Sequence, residues 1–118
     1  MSDPNSKGLN VAIFMVDGSP DGLRVAEIMN WTGHVLVGPR TQLPHALLRE
    51  ESQRTGVYLL AGESSQRPDE VMLYIGEADV ISARIKDHSL KKDFWSRMCF
   101  VTSNRLLKFA AADKSQRI

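Results

Sequence analysis

Residues 55–88 constrain this chain more than any other stretch. Two short apolar segments, Thr55-Gly56-Val57-Tyr58-Leu59-Leu60-Ala61 and Met72-Leu73-Tyr74-Ile75-Gly76, each carry one tyrosine and one glycine. Between them runs a polar loop of nine residues, Gly62 to Glu70, with Gly-Glu-Ser-Ser at one end and Arg-Pro-Asp-Glu at the other. Apolar runs of strand length bounded by such turn residues read as a β-hairpin with a long tip, which puts Tyr58 and Tyr74 on neighbouring strands. Asp79 is well placed to cap a helix starting near Val80. On that helix Arg84 and His88 lie four apart and therefore share a face. Taken singly, strand tyrosines are most often half-buried with their hydroxyls at the surface, and an arginine and a histidine on a helix are most often solvated. Two phenols, a guanidinium and an imidazole gathered by one hairpin and its helix are more than an apolar core requires.

Gly56-Val57-Tyr58, Tyr74-Ile75-Gly76 and Arg84 stand in the order of a known signature. Over residues 55–103 the chain resembles the GIY-YIG nuclease family, with Val57 where isoleucine is usual. More loosely, residues 9–40 look like the N-terminal extension of an uncharacterised bacterial branch of that family. The resemblance implies an α+β fold, a small antiparallel sheet flanked by helices, with strands near 57–61, 71–76 and 97–102 and additional strands at the N-terminus. It also implies hydrolysis of DNA phosphodiesters with Mg²⁺ or Mn²⁺. In such a reaction water attacks in line while cations stabilise charge on the phosphate. Tyr58 would be the general base, Tyr74 would orient water or phosphate, Arg84 would clamp the phosphate, and His88 would hydrogen-bond a tyrosine or the phosphate. Gly56, Gly76, Lys86, Lys91 and Lys92 would belong to the substrate-binding surface. One element of the pattern departs. The family carries a metal-binding glutamate on a helix after the third strand, and no glutamate follows Glu77 here. The later carboxylates are Asp87, Asp93 and Asp113. The expectation is therefore a truncated or altered chain, a site in which Asp113 or Glu77 substitutes, or a scaffold that binds nucleic acid or a partner without cutting.

Charge is unevenly spread. Residues 1–83 hold six Lys/Arg against eleven Asp/Glu, a balance of −5, and residues 84–118 hold nine against three, a balance of +6, which sum to the net +1. A basic third suits a polyanion, because phosphate contacts supply most sequence-independent affinity for nucleic acid. A solvated helical surface fits the same count. The single cysteine, Cys99, excludes an internal disulfide framework and suits a reducing, cytoplasmic setting; within its apolar run it reads as a buried, inert thiol. No apolar run approaches the roughly 20 residues of a membrane helix, and the first residues lack a signal-peptide pattern.

At 118 residues the chain is one domain's worth. Residues 1–8 read as a disordered leader, 9–54 as strands and a helix packed on the core, 55–112 as the core, and 113–118 as a tail. Strands are expected over 10–16 and 34–37, the first ended by Asp17-Gly18; 23–28 fits a strand or a short helix and is read as a strand because its neighbours are strands. A helix is expected over 41–54, capped by Thr41, with Pro44 in its first turn and a narrow apolar stripe of Leu43, Ala46 and Leu47. His34 and His45 read as surface residues. Residues 91–95 read as a surface turn docked by Phe94 and Trp95, 97–102 as a third core strand, and 104–112 as a helix.

Overall fold

A computed structural model describes residues 8–28, 30–64, 66–67, 69–91 and 93–103, with the side chains of 88–91 outside the description. The expected helix over 104–112, the leader and the tail lie outside or largely outside these residues. The described chain is α+β. Six strands form one antiparallel sheet: β1 (Val11–Met15), β2 (Arg24–Ile28), β3 (Gly33–Pro39), β4 (Gly56–Glu63), β5 (Val71–Ala78) and β6 (Trp95–Ser103). Two helices accompany it, α1 (Leu43–Leu48) and α2 (Ile81–Lys91). No helix among the described residues is long and apolar enough to cross a membrane.

The strands lie in the order β1-β2-β3-β6-β4-β5. The hairpin expected at the signature is present: β4 and β5 pair from Gly56↔Ala78 to Glu63↔Val71, with Tyr58 opposite Gly76 and Leu60 opposite Tyr74. The expected third core strand is β6, which inserts between β3 and β4 and places Phe100 beside both Leu36 and Tyr58. Trp95, expected in a surface turn, instead begins β6 and is buried.

Successive strand residues face opposite sides of a sheet, so the register assigns each side chain to a face. One face carries Val25, Leu36, Tyr58, Leu60, Met98 and Phe100, and it closes against Ala46 of α1 and Ile81 and Ile85 of α2 to form the core. Positions on the other face are only partly buried in the inner strands and exposed at the edges, among them Ile13 and Met15 on β1 and Leu73 and Ile75 on β5. Cys99 lies on this second face and is half-buried, not enclosed; burial pushes its thiol pKa up.

The expected continuous helix over 41–54 is broken. Thr41 sits in a 3-10 turn, Arg40–Gln42, and makes no cap; Pro44 does fall at the start of α1. After Leu48 the chain turns extended at Arg49 (φ −80°, ψ 148°) and forms a second 3-10 turn, Glu50–Gln53. Ser52 Oγ donates to the carbonyls of Leu47 and Arg49 at 3.2 and 2.8 Å, and Gln53 Nε2 donates to Leu47 O at 2.7 Å. Side chains thus take the carbonyls that continued helix would need. The break turns Glu51 inward, where Arg49 Nε meets its carboxylate at 2.9 Å. Burial opposes that carboxylate's charge, but the Arg49 hydrogen bond and charge prevail and hold it below the usual carboxylate range.

Candidate phosphodiester site

The packed face of the hairpin brings the two tyrosines together. Tyr58, on the central strand β4, is 1% exposed, and Tyr74, on the edge strand β5, is half-buried. Their ring centroids lie 6.0 Å apart with planes inclined by 30°. Gly76 makes room for this arrangement: a Cβ there would stand 2.4 Å from both Cζ and the hydroxyl of Tyr58. Gly56 is fixed by backbone, since a Cβ would meet Val101 O at 2.3 Å. Both signature glycines therefore have a packing reason to be glycine, in addition to any contact with substrate.

Arg84 comes from α2, on an exposed position between the buried Ile81 and Ile85, and its guanidinium hydrogen-bonds the Tyr58 phenol. The start of α2 is tied to the start of β4. Ile81 N–H donates to Arg54 O at 3.1 Å, Thr55 Oγ1 donates to Asp79 O at 2.6 Å, and Thr102 Oγ1 donates to Thr55 O at 2.8 Å. Arg54 is itself held from both sides. It pairs with Glu50 and lies 3.3 Å from His34 Nδ1, while His34 Nε2 sits 3.0 Å from Glu27. A guanidinium can only donate, so Nδ1 accepts and the ring proton faces Glu27. His34, expected at the surface, is half-buried in this chain of contacts; His45 is exposed as expected, with its Nδ1 3.1 Å from Gln42 Oε1. Sequence reading passed over Arg54 and Thr55 as support for the site. Only the register, which sets Glu27 opposite His34, brings their partners into view.

The phenol of Tyr58 is pushed up to about 12. Burial is the main cause, the adjacent Tyr74 adds to it through charge and a hydrogen bond, and Arg84 offsets part of the rise. Because the folded pKa lies above the unfolded value near 10, this contribution to stability is complete below about pH 10 and is lost as pH rises through about 12. Wild-type protein should therefore lose stability steeply over that interval in denaturant titrations, and Tyr58→Phe should flatten the loss. An unchanged alkaline profile in the variant would refute the burial of the phenol.

The remaining expected site residues are distributed as follows. Lys86 is exposed on α2; His88 and Lys91 are carried by α2 with their side chains outside the description, and Lys92 and Asp113 lie outside the described residues. Glu77 is opposite Val57 and so projects from the sheet face away from Tyr58. Among the described residues no three His, Cys, Asp or Glu side chains come close enough to hold a metal ion. The donor set described does not fit a divalent cation beside the tyrosines. Comparison of the chain with known protein families, with curated proteins and with solved structures finds no match.

Proposed function

We propose that Tyr58, Tyr74 and Arg84 form a phosphodiester site of the GIY-YIG type and that the chain is an endonuclease acting on DNA in a cytoplasmic setting. The observation that supports this reading is one buried phenol held between a second phenol and a guanidinium, each at its place in the signature. Arg84 is exposed and so can engage non-bridging phosphate oxygens while keeping Tyr58 in reach. With its pKa near 12, Tyr58 is ionised about once in 10⁵ molecules at pH 7. In the resting site it is a neutral hydrogen-bond donor, able to orient water or phosphate with Tyr74. Service as a base first requires loss of that proton, which nearby positive charge favours. The resemblance also implies Mg²⁺ or Mn²⁺; its carboxylate would have to come from outside the described residues, and no step is drawn through it.

A second reading, a nucleic-acid-binding or interaction module that does not cut, is favoured by the raised pKa of the Tyr58 phenol and by the described carboxylates, which do not gather into a set that could hold a metal ion. Nicking of supercoiled plasmid with Mg²⁺, then Mn²⁺, separates the two. The endonuclease reading expects cleavage that falls by about 10²-fold or more in Tyr58→Phe, the usual scale for a lost acid–base group. Absence of cleavage together with salt-dependent binding weakened by Arg84→Ala would select the second reading. Absence of both would end both.

A further inference from the structure

α2 is held against the sheet in two ways, of which one is directional. Ile81 and Ile85, both fully buried, fix which side of the helix meets the core. Apolar contact is non-directional, so by itself it sets the position of a helix along its own axis only weakly. Hydrogen bonds from the segment before β4 set that position. Three consecutive residues each meet the start of α2. Ser82 Oγ donates to Gln53 Oε1 at 3.2 Å, Ile81 N–H donates to Arg54 O at 3.1 Å, and Thr55 Oγ1 donates to Asp79 O at 2.6 Å. The first amides of a helix have no partner within it, so Arg54 O caps α2 from another segment. The junction is tied to the sheet in turn: Thr102 on β6, 3% exposed, donates through Oγ1 to Thr55 O at 2.8 Å.

Both partners of the phenol–guanidinium contact are counted off from this junction. Tyr58 lies three residues beyond Thr55 along β4, and Arg84 lies three residues beyond Ile81 along α2. We propose that Thr55, assisted by Ser82, is a positioning residue that sets the axial register of α2 and so holds the Arg84 guanidinium on the Tyr58 phenol. Arg84 is exposed, so packing does not confine its guanidinium, and the place of its backbone decides what it can reach. A slide of one residue moves a helix by about 1.5 Å, enough to carry a hydrogen bond of roughly 2.9 Å out of range. The inference rests on the phosphodiester reading for what Arg84 does to a substrate. The placement of Arg84 on Tyr58 does not depend on that reading.

The test is the Cζ resonance of Tyr58 in NMR spectra of the full chain, assigned by its loss in Tyr58→Phe. Arg84→Ala should shift it, because the phenol loses its cationic partner. Thr55→Val, which keeps the shape of the side chain and removes the donor, should shift it in the same direction, as should Ser82→Ala. Thr55→Ser keeps the hydroxyl and should restore the wild-type resonance. In the Arg84→Ala background Thr55→Val should produce no further shift. Where the wild-type protein nicks plasmid, Thr55→Val should lower the rate by up to about 10²-fold, the scale of a misplaced catalytic contact. A Tyr58 resonance that Arg84→Ala moves and that neither Thr55→Val nor Ser82→Ala moves overturns the proposal, and leaves Thr55 a residue of stability alone. A Thr55→Val shift that persists without Arg84 overturns it too, since Thr55 would then act on Tyr58 along β4. A wild-type protein without nicking would count against the endonuclease reading, while the resonances would still decide the positioning.

Discussion

Gly76→Ala should dislodge Tyr58. The added methyl would lie 2.4 Å from the phenol's Cζ and hydroxyl, and the ring is held between β5 and β6 at 1% exposure. Overpacking of this kind costs about 1–3 kcal/mol, to be read as a lower urea midpoint at unchanged slope. Displacement should also separate the two tyrosine rings, now 6.0 Å apart, and remove the magnetisation transfer between them in NMR spectra. If the site cuts DNA, nicking should fall at least as far as in Tyr58→Phe. Full stability with the ring contact preserved would mean that the glycine is dispensable to the cluster.

Phe100→Ala should have the largest effect on stability of any single truncation considered. Phe100 is fully buried at the middle of β6, opposite Leu36 on one side and Tyr58 on the other. Deleting such a ring costs about 3–5 kcal/mol, a large share of the roughly 5–15 kcal/mol that keeps a domain folded. Phe14→Ala is the internal control: that ring is 60% exposed on β1, with the Arg49 guanidinium above it at 5.9 Å. Its removal should cost under about 1 kcal/mol. Equal losses at the two positions would contradict the placement of Phe100 at the buried centre of the sheet and of Phe14 at its exposed edge.

The strands and the phenol cluster were legible in the sequence because each is announced locally. Val11–Met15, Arg24–Ile28 and Gly56–Glu63 fall within a residue or two of the apolar runs that mark them, and the tyrosine spacing follows from the hairpin. The stretch 41–54 misled for an equally physical reason. Its periodicity suits a helix, but Ser52 and Gln53 compete for the carbonyls of Leu47 and Arg49, and the pairing of Glu51 with Arg49 rewards the break. Contacts across strands were out of reach. His34 reads as a surface histidine until β2 sets Glu27 opposite it and Arg54 arrives from the segment before β4. Nor does an apolar run such as Val-Ala-Ile-Phe-Met tell whether it lies in a core or, as here, on an exposed edge strand.

The position of β6 has a consequence for how a ribosome must deliver this molecule. β3 and β4 are joined through β6 alone, and the Thr32 and Ser103 hydroxyls, 71 residues apart, meet at 2.7 Å. While the nascent chain lengthens, the β1–β3 meander and the β4–β5 hairpin can each form, but they have no strand in common. Both would wait with an unpaired inner edge, a template for pairing with other chains. Closure over so long a separation is slow by the entropy of the intervening loop. Synthesis halted before Trp95 would therefore release two half-sheets seeking the same missing strand, and neighbouring polypeptides would compete to supply it.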